Sequence, residues 1–400
     1  MKQRKKPALR FKGFVNDWEQ RKLGDFGAVA MCKRIFKDQT SEKGDIPFYK
    51  IGTFGGVPDA YIPRELFNEY KQMYPYPEKG DILISASGSI GRTVEYTGED
   101  AYFQDSNIVW LRHDKSIVNL FLKYLYEVIQ WAGIEGSTIK RLYNDNILTT
   151  EVMIPSVQEQ EKIGAYLDRI DHLITLHQRK LEKLQNLKKS MLEKMFPKNG
   201  AKVPEIRFKG FTNDWEQRKL GELAGKTYGG GTPRTSEKTF WNGQVPWFQS
   251  SDLIEDKVLS AIPKKKITEK GLQKSAAQLI PENSIAIIMR VGVGKLAFIP
   301  FSYSTSQDFL SLSALNIDGK FGCYSIYKLL QREKNLTQGT SIKGITKKEL
   351  LRKILWIPCQ DEQIKIGRYI ANIDNLITLH QRKLRKLQNL KKAMLEKMFI

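Results

Sequence analysis

Residues 158–196 read QEQEKIGAYLDRIDHLITLHQRKLEKLQNLKKSMLEKMF, and this stretch decides the fold. Leu167, Ile170, Ile174, His177, Leu181, Leu184, Lys188, Met191 and Met195 follow one another at steps that alternate three and four. That is the spacing of a coiled-coil seam. Leu173, Leu176 and Leu187 widen the stripe, while Lys, Arg, Glu and Gln fill the opposite face. Residues 159–196 hold one Gly, no Pro and few β-branched residues, so the stretch is predicted to be one long helix. At ~1.5 Å per residue it spans roughly 55–60 Å, far more than a helix that only covers a small core.

The stretch returns at residues 361–399 as DEQIKIGRYIANIDNLITLHQRKLRKLQNLKKAMLEKMF, identical at about three positions in four. Its seam runs Ile370, Ile373, Ile377, His380, Leu384, Leu387, Lys391, Met394, Met398. Two near-identical amphipathic helices are expected to bury their seams against each other as a coiled coil, about an approximate internal two-fold axis. The pattern leaves parallel and antiparallel pairing both open.

A second repeat precedes each half. Residues 10–24, RFKGFVNDWEQRKLG, return at 207–221 as RFKGFTNDWEQRKLG, a period of about 200 residues. The chain divides accordingly: a lead-in repeat at 1–24, a globular segment at 25–155 and a long helix at 156–197. A linker with the second lead-in repeat (198–221), a second globular segment (222–357) and a second long helix (358–400) follow. The globular segments have diverged widely but keep landmarks in register. Ile46-Pro47-Phe48-Tyr49 answers Val245-Pro246-Trp247-Phe248, Gln104-Asp105 answers Gln307-Asp308, and Ser137-Thr138-Ile139-Lys140 answers Thr340-Ser341-Ile342-Lys343. Runs at 81–85, 108–111, 284–289 and 310–315 read as strands, and 120–131 and 324–332 as helices. The fold class is therefore mixed α/β (α+β): two similar globular domains alternating with two long helices.

Composition limits function. A formal net charge of +21 and a pI near 9.6 point to a polyanionic partner, nucleic acid before an anionic membrane. No apolar run approaches the ~20 residues of a membrane span, and the basic N-terminus lacks a signal-peptide core. Three scattered cysteines, Cys32, Cys323 and Cys359, suit a reducing cytoplasm and no disulfide framework. The four histidines, His113, His172, His177 and His380, form no metal-ligand spacing. At the seam, His177 and His380 read as packed or solvent-bridged side chains before ligands or bases.

With two variable α/β segments, two lead-in repeats and two near-duplicate helices, the chain resembles the specificity subunit of type I restriction–modification systems. FKGFVNDWEQRKLG and FKGFTNDWEQRKLG, IPSVQEQEKIG and IPCQDEQIKIG, and DHLITLHQRKLEKLQNLKK and DNLITLHQRKLRKLQNLKK carry the resemblance. It covers essentially the whole chain. It implies that each globular segment is a target-recognition domain for one half of a bipartite, asymmetric duplex DNA site. It implies a helical ruler that sets the gap between the halves. The implied partners are two methyltransferase subunits and two ATP-driven restriction and translocation subunits. S-adenosylmethionine, ATP and Mg would sit on those partners, with no cofactor on this chain.

The residues themselves show no Gly-rich loop of methyltransferase type. Val291-Gly292-Val293-Gly294-Lys295-Leu296 lacks the upstream Gly of a phosphate loop, and Leu follows its Lys where Ser or Thr is needed. A tight turn presenting a cation is the reading there, as at residues 88–92. The loop Gly229-Gly230-Gly231-Thr232-Pro233 reads as a turn, with backbone approach to phosphate as the alternative. A non-catalytic DNA-reading subunit is therefore expected, against two rivals: a self-contained nuclease or methyltransferase, and a structural scaffold or repressor.

Reading DNA takes side chains for base edges and others for phosphates. Candidates in the first domain are Lys50, Ser87, Ser89, Arg92, Gln104, Ser106, Thr138, Lys140 and Arg141. In the second they are Arg234, Gln249, Ser250, Arg290, Lys295, Gln307, Thr340, Ser341 and Lys343. The bland reading of any one is a solvated side chain, and both Gln-Asp pairs have a structural alternative.

Overall fold

The computed structural model describes residues 6–133, 141–198, 201–290, 293–336 and 344–400. The chain divides into two compact units, residues 1–177 with 383–400 and residues 178–382. These units cut across the segments drawn from the sequence, because each long helix gives one half to each unit.

The first unit contains strands β1 (Glu19–Lys22), β2 (Gly27–Met31), β3 (Ile46–Tyr49), β4 (Tyr61–Ile62), β5 (Ile82–Ser85), β6 (Thr93–Glu95), β7 (Tyr102–Phe103), β8 (Ile108–His113) and β9 (Glu151–Ile154). Its helices are α1 (Arg64–Met73), α2 (Asn119–Val128) and α3 (Asn144–Thr149), followed by the first half of α4 (Val157–Lys194). The strands form an antiparallel sheet β2-β8-β5-β6, a sheet β4-β3-β7 in which β3 and β7 run parallel, and a ribbon β1-β9. The predicted run 81–85 becomes β5, whose four residues are all buried, so it reads as an apolar run without alternation.

The second unit repeats this order. Its strands are β10 (Glu216–Lys219), β11 (Ala224–Gly229), β12 (Trp241–Phe248), β13 (Lys265–Ile267), β14 (Ser284–Ile288), β15 (Leu296–Ile299), β16 (Ser304–Thr305), β17 (Phe309–Leu315) and β18 (Ile354–Ile357). They form β11-β17-β14-β15, β13-β12-β16 and β10-β18, the same pairings in the same positions. Helices α5 (Glu269–Gln273), α6 (Gly319–Leu336) and α7 (Lys347–Arg352) precede α8 (Gln360–Met398). Even the left-handed residue ahead of the central strand recurs, as Gly80 (φ 98°) before β5 and Asn283 (φ 58°) before β14. These are the two residue types that enter that region at least cost.

The lead-in repeats pair with the strand that feeds each long helix. Glu19 lies opposite Ile154 and Lys22 opposite Glu151, and Glu216 opposite Ile357 and Lys219 opposite Ile354. Each unit's main core includes the end of a long helix from the other half of the sequence. Phe399 stacks on Phe121 at 5.2 Å and meets Trp18 edge-on, while Phe196 stacks on Phe321 at 5.5 Å and meets Trp215 edge-on.

Within each unit the two helix segments run antiparallel. In the first, Lys391 pairs with Asp171 while the Leu9 amide bonds Lys397, one residue from the Arg10 that holds Glu159. In the second, Lys188 pairs with Asp374 while the Ile206 amide bonds Lys194, one residue from the Arg207 that holds Glu362. Leu167, Ile170, Leu184, Ile370, Ile373 and Ile377 are buried, and His177, His380 and the other seam residues Ile174, Leu181, Met191, Leu384, Leu387 and Met394 are half-buried. The seam is narrower than expected. Leu173, Leu176 and Leu187, expected to widen it, are exposed, as are Leu376, Leu379 and Leu390. One facing helix covers only a stripe near the a and d positions.

Candidate nucleic-acid interface

In the first unit, four chain segments bring most of the candidate residues together. Leaving β3, the chain makes a turn in which Thr53 Oγ1 accepts the Lys50 amide at 3.1 Å. Lys50 Nζ then pairs with Asp59 at 2.8 Å, and Gln104 Oε1 accepts the Ile51 amide at 2.9 Å. Beside this loop the β5–β6 turn presents Ser89 and Arg92, both exposed, and Arg92 Nη2 donates to the Gly55 carbonyl at 3.4 Å. The β7–β8 turn adds Ser106, held at φ 51° with its carbonyl accepting from Arg141 Nη2 at 3.2 Å. Ser87 donates to Asn107 Oδ1 at 2.8 Å and bridges to Arg141 through the backbone. A cleft of about 640 Å³ beside Lys50, Asp59 and Gln104 is lined also by Phe36, Lys37 and Thr40.

Apart from Arg234, on the β11–β12 connection, the second unit places its described candidates on the corresponding segments but with other side chains. Gln249 leaves β12 where Lys50 leaves β3, and its amide donates to Asp252 Oδ2 at 3.0 Å, as Lys50's does to Thr53. Ser250 begins the following turn. Arg234 is exposed and its carbonyl accepts the Trp241 indole at 3.1 Å. Gln307 Oε1 accepts from Thr232 Oγ1 at 2.6 Å. Arg290 is exposed and Lys295 half-buried, on the two sides of the β14–β15 turn. Thr138, Lys140, Thr340, Ser341 and Lys343 lie outside the described residues, as do Val291 and Gly292 of the phosphate-loop-like stretch.

Both Gln-Asp pairs take part in holding the rim. Gln104 and Gln307 fasten neighbouring loops, Asp105 pairs with Arg34 at 2.8 Å, and Asp308 Oδ2 accepts from Ser306 Oγ at 3.2 Å. The triple glycine is a close-packing turn: a Cβ on Gly230 or Gly231 would meet the Ser306 or Ala276 backbone under 2.4 Å away. Pattern reading missed Arg34 and Asn107, which are isolated polar residues without a motif, and it named Thr232 only as part of the glycine loop, not as the partner of Gln307. It also passed over Lys264, Lys265 and Lys266, all exposed, although their run is visible in the sequence. Among the described residues no group of three or more His, Cys, Asp or Glu could hold a metal ion. No helix among them is long and apolar enough to cross a membrane.

The family model of the type I restriction modification DNA specificity domain matches the chain twice, at residues 15–186 and 212–389. The chain belongs to this family. As a type I specificity subunit it is 59% identical over 152 residues to a putative type I restriction enzyme specificity subunit of Haemophilus influenzae, a match covering 38% of this chain and 40% of that protein. A putative specificity subunit of Methanocaldococcus jannaschii is 25% identical over 95% of this chain and 92% of its own. The fold of the specificity subunit is also that of the type I S subunit from M. genitalium, with a TM-score of 0.65 at 15% identity and 99% of each chain covered.

Proposed function

We propose that this specificity subunit reads a bipartite, asymmetric duplex DNA site, one half-site through each unit's loop rim, and does no chemistry of its own. One observation carries the reading. The two units repeat strand for strand and helix for helix, yet their rims carry different side chains at matched positions, Lys50 against Gln249 and Thr53 against Asp252. A scaffold that repeats while its loops differ suits two readers of two different sequences. The charge of +21 supplies the phosphate attraction.

The long helices serve as a spacer between the half-sites. A helix of 38 or 39 residues is roughly 57 Å long and stiff, against ~34 Å for one turn of B-DNA. The subunit directs two methyltransferase subunits to one adenine in each half-site, and two ATP-driven restriction subunits join them. S-adenosylmethionine, ATP and Mg belong to those partners, in the cytoplasm.

Methylome sequencing of a host carrying this chain with its cognate methyltransferase tests the reading. The expected result is a gapped adenine motif modified on both strands. Replacing residues 25–155 with those of a relative should change one half of it. A continuous motif, or a change in both halves together, would overturn the two-reader assignment.

A further inference from the structure

The two readers share an apolar tip in equivalent places. Pro47 of β3 lies opposite Tyr61, and Pro246 of β12 lies opposite Lys266. Four residues before each of these partners stands a β-branched residue followed by proline, Val57-Pro58 in one unit and Ile262-Pro263 in the other. Val57 is 84% exposed and Ile262 is 80% exposed, more than any other large apolar residue among those described. The intervening loops differ in sequence and in length, 47 to 61 against 246 to 266. The same tip thus recurs on two loops that otherwise differ.

Neither tip is a floppy end. The first loop is pinned by buried Phe54 and Ala60, by the Gly56 amide on the Thr53 carbonyl at 2.9 Å and by the Lys50–Asp59 pair. The second is pinned by buried Leu253 and Val258 and by the Phe298 amide on the Val258 carbonyl at 2.9 Å. Proline after each tip residue favours an extended backbone there. Such an exposed side chain buries little apolar surface within the fold and contributes correspondingly little to its stability.

The surroundings are cationic and polar. Arg92 donates to Gly55 beside the first tip, with Lys50 at the foot of its loop, and Lys264, Lys265 and Lys266 follow the second. Cations around one small apolar group match the major groove, where phosphates flank base edges and the thymine 5-methyl is the apolar group displayed. We propose that Val57 and Ile262 each contact a thymine methyl in the half-site read by their own unit. The proposal rests on the DNA-reading function above.

The test uses the full chain with its methyltransferase partner, on duplexes of the methylome-defined site in which each thymine in turn is replaced by deoxyuridine. One replacement in the first unit's half-site should weaken wild-type binding about fourfold, the worth of one buried methyl at ~0.8 kcal/mol. The same replacement should leave V57A unchanged, and I262A should be blind to one thymine in the other half-site. Both side chains are exposed, so these variants keep the fold. Equal losses in wild type and variant, or no loss at any thymine, would overturn the contact, as would binding to anionic vesicles that depends on Val57. R92A separates the two readings: if it weakens binding while V57A behaves as wild type on every duplex, DNA reading stands and the tip contact falls. A wild-type chain without sequence preference would end both.

Discussion

Arg10 grips Glu159 with two parallel hydrogen bonds, Nε to Oε1 at 2.6 Å and Nη2 to Oε2 at 2.7 Å, and the carboxylate is fully buried. Arg207 holds Glu362 the same way, at 2.7 Å twice. Each lead-in repeat thus locks the first turn of a long helix, and the hydrogen bond to Glu159 raises the Arg10 pKa. Removing one partner of a buried pair costs ~3–5 kcal/mol because the other stays charged and unpaired. R10A should therefore speed amide exchange in β1 and β9, and R207A in β10 and β18. R10A combined with E159Q should recover part of the loss. Hydrogen-exchange mass spectrometry checks this; equal protection in R10A and wild type would refute it.

The seam lysines form a second duplicated device. Lys391 Nζ contacts Asp171 at 3.0 Å and Glu127 at 2.8 Å, and Asp171 also accepts the Tyr124 hydroxyl at 3.0 Å. Lys188 Nζ contacts Asp374 at 2.7 Å and the Asp256 carbonyl at 2.8 Å, with Tyr324 on the same carboxylate at 2.6 Å. K391M and K188M should each destabilise by ~1–3 kcal/mol, since a part-buried carboxylate loses its cation. Pairing K391M with D171N should restore most of that in urea unfolding.

Lys328 belongs to the second unit alone; Val128 occupies its place on α2. Its Nζ donates to the Phe196 and Glu193 carbonyls at 3.2 and 3.5 Å, and burial lowers its pKa from 10.5 to about 8. Between about pH 8 and ~10 the unfolded chain holds a proton that the folded unit has released. Stability gained from this group therefore rises with pH across that window and is absent below it. Urea titrations at both ends should show a larger rise in wild type than in K328M.

Residues 181–196 and 384–399 are nearly the same sequence, and each supplies a Lys, two Met and a Phe to a unit. A chain ending at Pro197 should therefore dimerise, each copy lending Lys188, Met191, Met195 and Phe196 where Lys391, Met394, Met398 and Phe399 belong. Sedimentation should give twice the monomer mass. F196A should abolish the dimer, because each lost phenylalanine costs ~3–5 kcal/mol.

The sequence alone determined the long helices, the duplication of the lead-in repeats and the central strands. That each repeat forms a strand paired with the one feeding its long helix came from the structure. Seam spacing, unbroken apolar runs and internal duplication are local properties that survive without any knowledge of neighbours. It could name Lys50, Arg92 and Gln104 as polar loop residues, but not say that Gln104 would fasten the Lys50 loop. Only the tertiary structure decided that the helix segments run antiparallel within each unit. It also decided that Leu176 faces outward and that Phe399 completes a core begun by Trp18. Periodicity fixes which face of a helix is apolar, not which partner covers it or how much. Strand register likewise aligned Val57 with Ile262 across loops of unequal length, a relation set by non-local backbone pairing.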